Sequence, residues 1–125
     1  SNVNQLEQIC SLYIDDLFLK KNYEWCESEK EYLQRNYINM LKSIALFYIE
    51  EGFYKNAMDK LMIIKRKSPF DEKIHQMILR IYAIQKNRAL LIQCHEEFKL
   101  KLFEEMGIEP QKETNKLFTT LLNKL

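Results

Sequence analysis

The chain repeats itself at a fixed interval. Tyr48 and Tyr82 stand 34 residues apart, as do Ile44 and Ile78, Ala57 and Leu91, and Leu61 and His95. Such self-similarity means that one supersecondary unit is used more than once, and a unit of this length accommodates a pair of helices. The turn-forming residues agree. Only two Gly and two Pro occur among 125 residues, placed singly at Gly52, Pro69, Gly107 and Pro110. A protein of strands and turns needs more of both.

Apolar spacing near 3.6 places the helices. The first stripe is Leu6, Ile9, Cys10, Tyr13, Ile14 and Leu17, with a break around Lys20-Lys21-Asn22. Ser28 with Glu31 has the spacing of a capping box, opening a long helix over roughly 28–51 with an inner stripe of Leu33, Tyr37, Leu41, Ile44, Ala45 and Tyr48. Gly52 ends it in the left-handed conformation that glycine adopts at little cost. A third helix carries Phe53, Ala57, Leu61 and Ile64 and closes on Lys65-Arg66-Lys67. Positive charge there complements the helix dipole, a better reading of the triplet than a nucleic-acid contact. Pro69 stops this helix, and Asp71 caps a fourth with Ile74, Ile78, Ile81 and Tyr82 on one face. After a break at Lys86-Asn87, the fifth carries Leu91, His95, Phe98 and Leu102 up to Gly107. Beyond Pro110, Leu117, Phe118, Leu121, Leu122 and Leu125 form the stripe of a last helix.

The fold class expected is all-α: a tetratricopeptide-like stack of antiparallel helix pairs, an α-α superhelix of about six helices, in one domain over residues 1–125. Small Ala45 and Ala57 let the two helices of the first copy cross closely. The second copy is degenerate, with Leu79, Lys86 and Leu91 in place of small residues and glycine. Because a lone helix pair leaves apolar surface open, stacking must cover it and terminal units must cap the stack. The last helix is a natural cap. The first has no obvious partner before it, so the natural protein is expected to continue upstream, with this chain its C-terminal fragment.

Charge and cysteine usage exclude several classes. With 19 basic and 18 acidic residues the net charge is +1, whereas a domain that grips nucleic acid alone usually carries a basic excess. Three cysteines, Cys10, Cys26 and Cys94, form no C-x-x-C pair and read as reduced cytoplasmic thiols. No apolar run approaches the roughly 20 residues needed to span a membrane, and no signal peptide opens the chain.

From about Leu12 to Leu121 the chain resembles the bacterial transcriptional activator domain. The marks are Leu12-Tyr13 with Asp16-Leu17-Phe18, Glu24-Trp25, and the helix with Glu29, Leu33 and Tyr37. They continue through Gly52 to Ala57, Pro69 to Glu72 and His75, Tyr82, and Glu105-Met106-Gly107-Ile108-Glu109-Pro110 followed by Thr114 and Leu117. Departures are Cys26 for a small residue, Ser28 for a common Pro, Lys86-Asn87 for a Gly-containing turn, and Gln111-Lys112 for a Ser-Pro-like cap. The resemblance implies a tetratricopeptide-like helical domain that stands beside a winged-helix DNA-binding domain in antibiotic-regulatory-type activators and in some response regulators, including those of two-component signalling. It implies no enzyme activity and no cofactor. The partners it implies are proteins: a second copy giving a homo-oligomer, the transcription machinery, or another domain of the same chain. DNA would be reached only through an upstream domain. The rival reading is a free-standing tetratricopeptide-like peptide-binding adaptor unrelated to transcription.

Catalytic and metal chemistry find little support in the residues. His75, His95 and the cysteines supply only one close pair, Cys94-His95, and adjacent helical residues point about 100° apart, whereas zinc needs four converging ligands. Asp15-Asp16 and Glu104-Glu105 diverge for the same reason. No glycine-rich phosphate loop exists, and Trp25 reads as a residue that locks a linker onto the core. The binding candidate is a surface instead. In a tetratricopeptide stack the first helix of each pair lines the concave face. Here that lining is Asn39, Lys42, Leu46 and Ile49, then Lys73, Gln76, Arg80 and Ala83. Its apolar floor and basic flanks suit an acidic peptide segment. The competing reading is that Leu46 and Ile49 pack against upstream helices.

Overall fold

The apolar stripes become six helices among the described residues: α1 (Asn2–Leu19), α2 (Glu27–Glu50), α3 (Tyr54–Lys67), α4 (Glu72–Ile84), α5 (Arg88–Met106) and α6 (Lys112–Asn123). A computed structural model describes the backbone of residues 2–19 and 26–125 and the side chains of residues 3–12 and 26–125, with no strand among them. The architecture is all-α and tetratricopeptide-like, built from packed helix pairs. The linker tryptophan Trp25 and the break at Lys20-Lys21-Asn22 lie outside the described residues, as do the side chains of Tyr13, Ile14 and Leu17.

Two compact units divide the chain, residues 1–64 and 65–125. In the first, α1 packs on α2. Leu41, Ile44, Ala45 and Tyr48 recur every three or four residues, so one face of α2 is buried; α3 buries Ala57, Leu61 and Ile64 in the same way. Ala45 and Ala57, the small residues of the repeat, have no exposed surface. Lys60 Nζ on α3 reaches Glu7 Oε1 on α1 at 2.9 Å. Hydrogen bonding to Lys60 holds the Glu7 carboxyl below its usual range. Burial works to lower the Lys60 pKa, but the Glu7 hydrogen bond and charge outweigh it and raise the ammonium above its ordinary value.

The start of α2 differs from the expected capping box. Cys26 is the N-cap residue and makes no side-chain cap bond, and the Ser28 hydroxyl lies 3.1 Å from Cys26 Sγ. The helix begins one residue before Ser28, at Glu27, so Ser28 is already inside the first turn and its hydroxyl is too late to serve the cap.

Both repeats end their first helix with the same motif. After α2, Phe53 N–H donates to Tyr48 O at 2.8 Å and Gly52 N–H to Ile49 O at 3.1 Å; after α4, Asn87 N–H donates to Tyr82 O at 2.9 Å and Lys86 N–H to Ala83 O at 3.0 Å. This is the Schellman pairing, which needs a left-handed residue just past the helix. Gly52 supplies it at φ 81°, and Lys86 supplies it at φ 56° despite its Cβ. The residue after each differs. Phe53 packs edge-on against Tyr48 with ring centroids 6.3 Å apart, whereas Asn87 turns its side chain to cap α5 through Leu90 N–H at 3.1 Å.

In the second unit α4 packs on α5 and α6, and α5 packs on α6. Asp71 caps α4 as expected, its Oδ1 accepting from the N–H groups of Lys73 and Ile74, and Gly107 closes α5 in the left-handed conformation. Glu72 at the start of α4 meets Gln111 and Thr114 at the start of α6, while Arg88 at the start of α5 donates to Leu122 O near the end of α6. Helices α4 and α6 therefore run parallel, with α5 antiparallel to both.

Helix α6 is capped from outside. Gln111 is its N-cap residue and makes no side-chain cap bond. Glu72 of α4 takes over, with Oε1 accepting from Gln111 N–H at 2.9 Å and from Thr114 Oγ1 at 2.7 Å. A carboxylate there answers both the unsatisfied amides and the positive end of the helix dipole. Glu72→Ala should lower unfolding stability in urea by about 1.5–3 kcal/mol, the range for hydrogen bonds to a charged group. Lys86→Gly should be neutral or stabilise by up to about 1 kcal/mol, whereas Gly52→Ala should cost about 1–2 kcal/mol through backbone strain alone, since a Cβ there meets no atom within 4 Å.

Candidate functional site

At the centre of the second unit lies a line of buried polar side chains. His75 of α4 and His95 of α5 are 3 % and 1 % exposed. His75 Nε2 and His95 Nδ1 are 3.0 Å apart, and His95 Nε2 is 3.1 Å from Asn115 Oδ1 on α6. These distances order the protons. Asn115 Oδ1 can only accept, so His95 donates from Nε2 and, neutral, accepts at Nδ1. His75 then donates from Nε2, leaving its Nδ1 as an acceptor that faces Cys94 Sγ at 4.0 Å. Aromatic faces close the column: Phe98 stacks on His75 with centroids 3.9 Å apart, and Phe118 stacks on His95 at 4.2 Å.

The arrangement holds helices together and does not offer reactive groups. Burial, then the neighbouring His95 and Lys65, pushes the His75 pKa down to about 3. Burial also lowers His95, against the Asn115 hydrogen bond. Both rings are neutral at neutral pH, as the proton order requires. Burial raises the thiols of Cys94 and Cys10, opposite to what a nucleophile needs. All three cysteines are free, and among the described residues no group of three His, Cys, Asp or Glu could hold a metal ion.

The 34-residue register explains the histidine pair. His95 stands where the first copy has Leu61, and His75 where it has Leu41. Both leucines are buried, so two apolar core positions in one copy became two polar ones in the other and satisfied each other. The signal in the sequence is that both histidines fall on leucine positions of the same repeat, though only the His95 match stood out.

The surface candidates fall on both units. On α2, Asn39 and Leu46 are exposed, the latter by 50 %, while Lys42 and Ile49 are half-buried. On α4, Lys73 and Arg80 are exposed, and Ala83 is half-buried. Gln76 is committed to the interior, its Nε2 donating to Thr114 Oγ1 at 2.9 Å. Arg80 and Ala83 line a hollow of about 370 Å³ with Ile84, Lys86, Leu121, Lys124 and Leu125. Five of these residues lie beyond the concave-face pattern, because the end of α4, the loop after it and the end of α6 meet only in the folded unit.

Packed helix pairs, a buried column of unreactive side chains and an outer surface with a basic, apolar hollow define a helical adaptor. The chain belongs to the family of the bacterial transcriptional activator domain, whose model matches residues 1–122. It is a non-catalytic domain with a general role in regulation through protein interaction. No curated protein and no solved structure shows a significant match to the chain. None of the described helices is long and apolar enough to cross a membrane.

The buried histidines make stability depend on pH. Their pKa values are lower in the folded chain than the ordinary 6.5, so the unfolded chain binds more protons below pH 6.5. Stability is complete above that value and falls as the pH drops from 6.5 towards 3, at up to about 1.4 kcal/mol per pH unit for each proton taken up. Urea titrations between pH 6.5 and 5, where ordinary carboxylates remain ionised, should show this loss. The double substitution His75→Leu with His95→Leu should remove the slope in that interval. Each single substitution should destabilise more than the double, because it leaves one ring without its partner.

Proposed function

We propose that this domain is the regulatory contact module of a bacterial transcription regulator, joining it to a second copy, to the transcription machinery or to another domain of the same polypeptide. DNA contact belongs to a separate upstream segment. The observation that carries this reading is the hollow of the second unit, where exposed Arg80 stands over an apolar floor; on the first unit, Leu46 of α2 is separately exposed. Single exposed apolar residues are ordinary, but apolar side chains framed by like charges suit a partner segment with carboxylates. Family membership supports the regulatory setting. The net charge of +1 supports delegating DNA contact to another part of the protein. Exposed Ile9 and Leu12 on α1, 52 % and 67 % accessible, support further helices upstream. A cytoplasmic location accords with transcription and with three free thiols.

The test uses the complete coding sequence and a reporter driven by its own target promoter. Arg80→Glu and Leu46→Glu, combined, should change reporter output by about tenfold or more, equivalent to about 1.4 kcal/mol of lost contact energy. Promoter occupancy and the thermal unfolding midpoint should stay within error of the parent. Unchanged output with a folded protein defeats the contact-module reading.

A further inference from the structure

The hollow of the second unit carries charge that nothing in the unit answers. Arg80 of α4, Lys86 in the turn after it and Lys124 at the end of α6 line it, and all three are exposed. Residues 73–95 and 114–125 contain no Asp or Glu. Among the described residues, none of these three cations is paired with a carboxylate. Helix dipoles explain only part of this. Lys124 is the C-cap of α6 and Lys86 follows the end of α4, where positive charge is favourable. Arg80 stands before the last turn of α4, which holds no basic residue.

Lys86 occupies its place against the preference of its backbone. At φ 56° it is the only non-glycine residue with positive φ among the described residues, and the first copy has Gly52 at the same repeat position. A Cβ there costs what glycine avoids, so the second copy holds a strained turn and an ammonium at the rim of the hollow. The floor is apolar. Ile84 and Leu125 are 50 % and 38 % exposed, beside half-buried Ala83 and Leu121. Both walls follow one pattern: Ile84 lies between Arg80 and Lys86 in the chain, and Lys124 lies between Leu121 and Leu125. A volume of about 370 Å³ stands at the lower end of the range for ligand sites, so the hollow suits a short segment.

We propose that the hollow binds a short segment of a partner protein in which one large apolar side chain has Asp or Glu within two residues on either side. This rests on the contact-module reading and names the chemistry of the partner. The apolar side chain covers Ile84, Leu121 and Leu125. A carboxylate on one side meets Lys86 and Arg80, whose planar fork can hold it by two hydrogen bonds. A carboxylate on the other side meets Lys124. Cations on both walls therefore require acids on both sides of the anchor. A nucleic acid would use the cations and leave Ile84 and Leu125 uncovered, and an uncharged apolar segment would leave the cations unanswered.

Peptide titration of the purified 125-residue chain, followed by amide NMR shifts, tests it. The probe is an end-blocked peptide with one Phe between two pairs of Glu. It should bind with a dissociation constant below about 1 mM at low salt, and the shifts should concentrate at residues 83–88 and 121–125. Replacing the probe's Phe by Ser, or its Glu by Gln, should weaken binding by about tenfold or more. Arg80→Glu with Lys124→Glu should do the same while helical circular dichroism is kept. Lys112→Glu with Lys116→Glu, an equal change of net charge outside the hollow, should alter binding by less than about twofold. Lys86→Gly separates binding from folding: stability in urea should hold or rise while the peptide binds several-fold more weakly. A parent that does not bind the probe overturns the proposal. So does binding indifferent to the loss of Phe, which is the behaviour of a site for polyanions. Shifts away from the hollow, equal loss in the Lys112 and Lys116 control, or full binding by Lys86→Gly overturn it too. If the peptide fails while the reporter still responds to Arg80→Glu with Leu46→Glu, the contact-module reading stands with a partner of other chemistry.

Discussion

The hydrogen bond between His75 and His95 is the interaction on which the second unit turns. It joins α4 to α5 inside the core, and through Asn115 it reaches α6. A polar ring buried without a partner costs more than a hydrogen bond returns, so the pair is tolerated only because each ring satisfies the other. The stacking of Phe98 and Phe118 on the two outer faces keeps water away. That dryness stabilises the neutral rings and ties the helix packing to one protonation state.

The same logic of mutual satisfaction recurs at the helix ends. Glu72 belongs to the first turn of α4 but serves the amide of Gln111 and the hydroxyl of Thr114 on α6. Gln76 then donates to the same hydroxyl. The first turn of α6 is thereby anchored by α4, and its far end is held by Arg88 on Leu122 O. The terminal helix is fastened along its length by polar contacts as well as by its apolar stripe, as befits the cap of a repeat. Anchored in this way, α6 brings Leu121, Lys124 and Leu125 beside the loop after α4, and the hollow exists because of it.

The two repeats show how one scaffold carries different interiors. Both close their first helix with the same hydrogen bonds, whether the left-handed residue is Gly52 or Lys86. Leu41 and Leu61 fill the core of one copy where histidines fill the other. Backbone geometry is held by the period; the chemistry of the core is free to vary as long as each buried group is satisfied. Among the described residues no catalytic apparatus results, and what varies on the outside is charge and apolar exposure, the properties a contact surface uses.

The residues alone determined the helices, their order and those ends marked by Asp71, Gly52 and Gly107, because amphipathic spacing and these residues act within a few residues of themselves. Family membership was legible for the same reason, since its marks are local strings such as Gly107-Ile108-Glu109-Pro110. The capping box at Ser28 misled because the cap falls two residues earlier, at Cys26, a shift that periodicity does not resolve. Tertiary structure alone decided three things: that the two histidines meet, that Glu72 caps a helix 39 residues away, and that Lys86, Lys124 and Leu125 share a hollow with Arg80. Each depends on the angle and register at which helices pack. That geometry is set by many side chains together, so no short stretch of sequence reports it.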